Sequence, residues 1–185
     1  MTPPKAVQES SAQANILSEA DKFANFFSSN HLSVFRYIYA IHGHPQETVE
    51  DLTAETFLRA WRARRSFSGD ENAALRWILR IARNLVIDTY RRASWGQDPD
   101  DINEHYLASE DSGPEELMVL SEEVDHLLSA IQTLPAGQRE MITLRYVLGW
   151  RVKDIAEQLD MLENTVSVNL KRARAAMRKN WPSIS

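Results

Sequence analysis

The sequence contains no cysteine among its 185 residues. This absence excludes disulfide bonds, thiolate zinc sites and a cysteine nucleophile. Long apolar runs are missing too, because no stretch approaches the roughly 18 consecutive apolar residues that a membrane helix needs. The N-terminal residues 1–15 have no apolar core of a signal peptide. We therefore expect a cytoplasmic protein that does not associate with a membrane.

Groups that carry chemistry are equally sparse. Of five histidines, the one close pair is His42 and His44, which flank Gly43 just before Pro45. This spacing is typical of a turn that ends a helix, so we expect neither a metal site nor a cofactor. No arrangement of nucleophile and base, and no phosphate-binding glycine loop, is visible in the sequence, so we expect a protein that is not an enzyme.

Charge is unevenly distributed along the chain, although the formal net charge is only −5. Residues 1–58 hold three basic and seven acidic side chains, whereas residues 59–92 hold nine arginines and three acids. Residues 93–138 hold eleven acids and no lysine or arginine, and residues 139–185 hold nine basic and five acidic side chains. Two basic modules are therefore separated by an acidic spacer.

The acidic spacer has the composition of a linker. Residues 94–116 contain two prolines, two glycines and many Asp, Ser and Glu, with few side chains able to form a core. We expect this segment to be extended or ordered on a partner, and a solvated acidic loop is the alternative. The sequence therefore predicts two domains, residues 18–93 and 117–185, preceded by a disordered segment, residues 1–17, that has no recognisable role.

The first domain has helical periodicity throughout. Apolar residues recur at helical spacing up to Ile41, and a second helix follows Pro45 and extends to about Ala63. One face of that second helix comprises Val49, Thr53, Thr56, Phe57 and Ala60, and another comprises Asp51, Ala54, Glu55 and Leu58. Carboxylates four residues apart are compatible with a metal or acid–base pair, but no convergent partners are present. A solvated or protein-binding face is the favoured interpretation.

The residues that follow predict a loop over 65–74 and then an arginine-rich helix. Its buried stripe comprises Leu75, Ile78, Leu79, Ala82, Leu85 and Val86, which leaves Arg76, Trp77, Arg80, Arg83, Asn84, Arg91 and Arg92 on the other faces. Arginine neutralises phosphate and aromatic rings stack on unpaired bases, so this pattern is typical of a nucleic-acid groove. For Trp77 a core position is an equally good interpretation.

The second domain ends in a helix-turn-helix pattern. A helix break is expected at Leu134 and Pro135, and Ile155, Ala156 and Leu159 form the inner face of a later short helix. A turn follows at 160–162, and a longer helix begins at Glu163 with Val166, Leu170, Ala173 and Met177 facing inward. Its outward face is polar near the start and basic further along, which suits base reading followed by phosphate contact.

Three stretches, "EDLTAETFLRAW", "LRWILRIARNLVIDTYRRA" and "VKDIAEQLDMLENTVSVNLKRARAAMR", with an acidic linker before the third, resemble an extracytoplasmic-function (group four) sigma factor of bacterial RNA polymerase. The similarity covers about residues 20–180. It implies an all-α protein with two small helical domains, called sigma domain two and sigma domain four, joined by the acidic linker. The implied partners are core RNA polymerase and promoter DNA, and whether an anti-sigma factor also binds stays open.

The resemblance also implies roles for individual residues. Asp51, Glu55 and Leu58 would dock on the clamp helices of the largest polymerase subunit. The residues implied for melting and reading the minus-ten element are Phe67, Ser68, Asn72, Arg76, Trp77, Arg80, Arg83, Asn84 and Arg91. Those implied for the minus-thirty-five element are Asn164, Thr165, Ser167, Val168, Asn169, Lys171, Arg172 and Arg174. The linker would thread toward the active centre and RNA exit channel, and domain four would rest on the flap of the second-largest subunit.

The chain departs from the family pattern at several positions. Ala54 stands where the family usually has Gln, and Asp160 where the turn commonly has Gly. In the recognition helix, Leu162 removes the usual N-cap hydroxyl, Asn164 replaces Gly, and the reading face is less basic because Ser167 and Asn169 stand where Lys and Arg are common. We expect Ala54 to remove one polar contact to the clamp, whereas the departures in the recognition helix bear on promoter sequence and minus-thirty-five affinity rather than on fold. The alternative function is a stand-alone dimeric helix-turn-helix regulator, which would bind duplex DNA tightly without polymerase.

Overall fold

The computed structural model describes residues 15–43, 45–93, 127–128 and 130–180, and this part of the chain is helical. The helices are α1 (Ala20–His42), α2 (Gln46–Ala63), α3 (Glu71–Ala93), α4 (Ala136–Ile142), α5 (Val152–Leu159) and α6 (Glu163–Asn180). A 3-10 turn, Arg64–Ser66, follows α2, and a π-helical segment, Thr143–Val147, continues α4. The expected all-α class is confirmed. The expected acidic linker, residues 94–116, lies outside the described residues.

The first three helices pack against one another, and their ends follow from local backbone chemistry. α1 ends because Gly43 adopts φ 90°, and the Gly43 N–H donates to the carbonyl of Tyr39 at 2.9 Å. Pro45 then precedes α2 with extended backbone, where its missing N–H is no loss. The break predicted from the sequence at this turn is confirmed.

Helix α3 begins earlier than the sequence analysis expects. Residues 65–74 were expected to form a loop, but α3 begins at Glu71. The reason is an N-cap, because the Asp70 carboxylate accepts a hydrogen bond from the Ala73 N–H at 2.8 Å. Gly69, at φ 151°, lies so close to the helix that a Cβ there would come within 2.8 Å of the Ala73 Cβ. The loop is thus shorter and more tightly packed than composition indicates.

Residues 15–17, which were expected to belong to a disordered segment, pack onto the first domain. Leu17 is fully buried, and the Asn15 side chain accepts from the Leu17 N–H and donates to the Arg64 carbonyl, both at 2.9 Å. Asn15 also forms an isolated bridge with Gly69. The packed part of the domain therefore begins three residues before the expected boundary. Residues 1–14 lie outside the described part of the chain.

The second domain is built from short helices around the helix-turn-helix. The helical residues 130–132 are followed by a turn at Thr133 and Leu134, and Pro135 precedes α4, so the helix break that the sequence predicts is confirmed. With eight residues, α5 is too short to be stable alone, and Ile155 and Ala156 bury it against the rest of the domain. Asp160 then adopts the left-handed conformation, φ 54° and ψ 51°, and so ends α5.

The two domains also contact each other. α1 packs against α4 and against the π-helical segment. Buried residues of both domains belong to one hydrophobic cluster, which includes Ile38 and Ile78 on one side and Ile131 and Leu144 on the other. The sequence predicts two domains but gives no sign of this contact, because apolar periodicity does not identify which element covers a helix face.

Candidate functional site

The α2 surface implied for polymerase docking is exposed. Asp51 is exposed, and the Leu58 side chain is 41% exposed although it is a large apolar group. Glu55 is half-buried and forms an ion pair with Arg59, with 2.7 Å between Oε1 and Nε. We call Asp51, Glu55 and Leu58 the α2 face. This surface combines an exposed apolar side chain with carboxylates, a composition more typical of a protein-binding surface than of one that contacts only solvent.

An aromatic side chain from α1 lies close to this helix, and the sequence analysis did not assign it a site. The Phe27 ring is 42% exposed and meets the Phe57 ring edge-on, with 4.8 Å between centroids. Its other face stacks on His31 at 5.3 Å. The sequence signal was present only as one more apolar residue in the α1 pattern. Exposure of Phe27 adds apolar surface where α1 meets α2.

The residues implied for minus-ten recognition do not form one open surface. Asn72, Arg80, Asn84 and Arg91 are exposed on α3 or at its start, and Ser68 is exposed in the preceding loop. Phe67, however, is only 8% exposed, and its ring lies 5.2 Å from the Trp77 ring. A DNA contact by Phe67 therefore requires the loop to move.

Trp77 stands between the two interpretations that the sequence left open. It is half-buried and packs against the hydrophobic cluster and against Phe67, yet part of the ring remains accessible.

On the same helix, Arg91 forms an ion pair with Asp88, with 3.3 Å between Nη2 and Oδ1. The Arg76 and Arg83 side chains are half-buried. The backbone carbonyl of Arg76 accepts a hydrogen bond from the Gln158 side chain of α5 at 3.2 Å.

Arg83 is held by a carboxylate of the second domain. Its Nε lies 3.0 Å from Oε1 of Glu140 and donates to Oε2 at 3.1 Å. The hydroxyl of Tyr37 donates to Oε1 of the same carboxylate at 2.6 Å. Burial, together with the neighbouring Glu140 charge, raises the pKa of Tyr37 well above its ordinary value, so the hydroxyl keeps its proton. Glu140 is not predicted from the sequence, where its one signal is an acid directly before the apolar pair Met141 and Ile142.

The helix-turn-helix has the predicted arrangement. On α6, Val166, Leu170 and Ala173 are buried and Met177 is half-buried. The opposite side exposes Asn164, Thr165, Ser167, Val168, Lys171, Arg172 and Arg174, which we call the α6 face. Asn169 is half-buried, because its amide donates to the Thr165 carbonyl at 2.9 Å and so folds back on the helix.

Two large apolar side chains at or near the start of α6 are exposed to solvent. Leu162 is 77% exposed, and Val168 on the helix itself is 41% exposed. The α6 face has polar side chains near its start, apolar side chains beside them and basic side chains in its second half. These groups suit contacts with base edges, thymine methyls and phosphates, respectively. The arrangement can therefore bind a DNA groove.

The described residues offer little for other chemistry. No group of three or more His, Cys, Asp or Glu side chains among them is placed to hold a metal ion. His44 of the sequence's close histidine pair lies outside the described residues. No helix within the described ranges is long and apolar enough to cross a membrane.

Fold and surfaces together define a two-domain helical protein whose second domain is a helix-turn-helix. Comparison with known families gives the particular class. Residues 26–96 match the model described as sigma-70 region 2, and residues 125–177 match sigma-70 region 4. The chain is 36% identical over 143 residues to the ECF RNA polymerase sigma-E factor of Salmonella typhimurium, covering 72% of this chain and 73% of that protein. The chain therefore belongs to the extracytoplasmic-function (ECF) sigma factors of RNA polymerase.

A second relative agrees with this assignment, and a solved structure has the same fold. The chain is 32% identical over 169 residues to the ECF sigma factor BldN of Streptomyces coelicolor, covering 89% of this chain but only 62% of BldN. The sigma factor RpoE of Bartonella quintana, solved in complex with the anti-sigma factor NepR, superposes with a TM-score of 0.71. That alignment covers 90% of this chain and all of that one at 20% identity, so it supports the fold alone.

The family assignment decides between the two functions that the sequence left open. The protein is a transcription initiation factor of the sigma class, and a stand-alone dimeric regulator is not favoured. A regulator of that kind leaves the match of residues 26–96 to sigma-70 region 2 without an explanation.

Proposed function

We propose that this sigma factor binds core RNA polymerase, recognises minus-ten and minus-thirty-five promoter elements and promotes DNA melting. The observation that carries the proposal is the α6 face, an exposed polar and basic surface on the second helix of a helix-turn-helix. Such a helix enters the major groove with its N-terminal residues at the base edges. Its basic second half, Lys171, Arg172 and Arg174, then lies along the phosphate backbone.

Binding to polymerase is assigned to the α2 face. The exposure of Asp51 and Leu58 and the outward Glu55–Arg59 pair support docking on the clamp helices of the largest subunit. Ala54 lies on the same side and offers no polar group, so the carboxylates carry the polar part of the contact. Domain four is assigned to the flap of the second-largest subunit.

Recognition of the minus-ten element is assigned to α3 and the loop before it. Arg80 and Asn84 are exposed there, and the accessible part of the Trp77 ring can stack on a base once the duplex opens. Stacking is worth about 1 to 3 kcal/mol per base, which offsets part of the cost of unpairing. A half-buried ring can serve the core and this DNA contact alike.

The remaining assignments follow from the same model of action. Residues 18–93 act as sigma domain two and residues 117–185 as sigma domain four. The acidic linker, residues 94–116, threads toward the active centre, where carboxylates occupy basic surfaces that otherwise hold nucleic acid. The protein acts in the cytoplasm by binding rather than by catalysis, and an anti-sigma factor is a candidate regulator.

In vitro transcription tests the proposal. Purified core polymerase is supplied with a library of genomic fragments, with and without this protein. We expect a defined subset of fragments to be transcribed only when the protein is added, with a shared sequence upstream of their start sites. A library transcribed equally in both reactions, combined with tight duplex binding by the protein alone, would overturn the proposal in favour of an operator-binding regulator.

A further inference from the structure

A single carboxylate of the second domain is bound by two helices of the first. Glu140 on α4 is 8% exposed, and it accepts hydrogen bonds from the Tyr37 hydroxyl of α1 at 2.6 Å and from Arg83 Nε of α3 at 3.1 Å. Tyr37 is fully buried. A carboxylate removed from water is costly unless it is paired, so this contact is specific and depends on both partners.

Three further hydrogen bonds connect the same two domains. Gln132 donates to the Tyr39 carbonyl at 3.0 Å, and Arg139 donates to the Ile41 carbonyl at 3.3 Å. Gln158 of α5 donates to a carbonyl of α3 at 3.2 Å. The interface therefore involves three separate segments of the second domain, including the first helix of the helix-turn-helix.

This closed arrangement conflicts with simultaneous promoter contacts. Elements centred about 25 base pairs apart lie roughly 85 Å apart along duplex DNA at 3.4 Å per pair. A compact chain of this length has a radius of gyration of roughly 16 Å and is about 40 Å across. The closed chain cannot reach both elements. In addition, Arg83, a member of the minus-ten set, already holds a carboxylate where a DNA phosphate would bind.

We propose that Tyr37, Arg83 and Glu140 form an interdomain clasp that keeps the free protein closed and must open for promoter binding. The inference rests on the proposed function, because the conflict arises from reading two distant elements. Opening is chemically feasible, since the Arg83 side chain is 41% exposed and Glu140 becomes hydrated when the domains separate. Within the clasp, Glu140 is a competitor of phosphate for Arg83.

Two substitutions test the clasp without altering a residue of the DNA or polymerase faces. Tyr37→Phe removes the hydroxyl donor and keeps the ring, and Glu140→Gln removes the charge and keeps the shape. Thr56→Val is the matched control, because Thr56 is fully buried in the first domain and its hydroxyl donates to the Leu52 carbonyl at 2.6 Å within α2. It loses a buried hydroxyl of similar kind but no interdomain contact.

The distance between the domains can be measured directly, because the chain has no native cysteine. Spin labels are attached to Glu47→Cys on α2 and Lys153→Cys on α5, both exposed positions. We expect a narrow, short distance distribution for the parent protein and for Thr56→Val. In Tyr37→Phe and Glu140→Gln a longer population should rise about tenfold, the effect of losing one charge-assisted hydrogen bond. Identical distributions in all four proteins would overturn the clasp.

Binding to purified core polymerase then tests the inhibitory role. Core is proposed to engage the two domains at separate sites, the clamp helices and the flap, so only the open fraction makes both contacts. A tenfold rise in that fraction then lowers the apparent Kd about tenfold. We expect tighter binding for Tyr37→Phe and Glu140→Gln and no change for Thr56→Val. Opened domains with unchanged Kd would overturn the inhibitory role. If neither the parent nor the variants bind core, the proposed function fails, while the distance measurement still decides whether the clasp exists.

Discussion

Reversing the charges of the α2 face tests docking on core polymerase separately from the folding of the protein. In the variant Asp51→Lys/Glu55→Lys, two carboxylates of the proposed polymerase contact become ammonium groups. We expect this variant to lose co-purification with core polymerase and to keep the helical circular-dichroism spectrum of the parent. Both side chains lie on the solvent side of α2, so the buried residues of the domain do not change.

The cost to folding can be worked out from the contacts that are lost. Glu55 pairs with Arg59 four residues later, with side chains 38% and 42% exposed, and such exposed helical pairs contribute about 0.3 to 0.5 kcal/mol. Placing Lys there adds a repulsion of similar size. The total, about 1 kcal/mol, lowers the Tm of a protein of this size by about 2 to 4 °C. Like charges across an interface cost several kcal/mol, a loss of at least about a hundredfold in affinity.

The assay is a pull-down of core polymerase, with thermal unfolding measured on the same samples. The matched control is Glu19→Lys/Asp21→Lys at the start of α1. It makes the same change in net charge and also breaks an exposed ion pair, Glu19–Lys22 at 2.8 Å. We expect the control to bind core like the parent. Retained binding by the Asp51→Lys/Glu55→Lys variant, or equal loss in the control, would refute docking through the α2 face.

Three further predictions concern the DNA surfaces and pH. Trp77→Ala should reduce the permanganate reactivity of unpaired promoter thymines more than it reduces assembly with core, and equal opening would return this residue to the core. Ser167→Lys should change which minus-thirty-five sequences are used, whereas Arg172→Ala should weaken all promoters and lower the log–log salt slope by about 0.9. Burial, and secondarily Arg139, lowers the pKa of His42 below its ordinary value of 6.5. The unfolded chain then binds this proton more tightly than the folded one, so stability is lost as pH falls below that value. Denaturant unfolding of the parent and of His42→Gln at pH 7.5 and 5.5 checks it.

Helix positions were predictable because each rests on local chemistry. Pro45 and Pro135 mark helix starts regardless of what the rest of the chain does. Asp160 stands where the family commonly has Gly, and it adopts the left-handed φ of 54°, which Asp tolerates better than most residues. The inward row on α6, from Val166 onward, follows from the 3.6-residue period alone. These features need no information about distant parts of the chain.

Features that depend on distant partners could not be derived in this way. The Asp70 cap, by contrast, is local, because Asp70 bonds a residue three positions later, but a composition typical of a loop concealed the start of α3 there. Phe27 and Phe67 are both phenylalanines next to polar residues, yet one is 42% exposed and the other 8%. Phe67 packs against Trp77 and Phe27 against Phe57, contacts that the local sequence does not indicate. Glu140 is the extreme case, since its partners lie 57 and 103 residues earlier in the chain.

Segregated charge poses a physical problem for the free protein. Residues 59–92 carry nine arginines, and a concentrated positive surface attracts any DNA, whatever its sequence. The acids of the same chain reduce this attraction, because an arginine paired with a carboxylate releases no counterions from a phosphate. Glu140 does this at Arg83 within the described structure, with 3.0 Å between the charged atoms. If the proposed clasp regulates promoter use, Glu140 yields Arg83 to DNA only when polymerase holds both domains in place, a requirement that the net charge of −5 conceals.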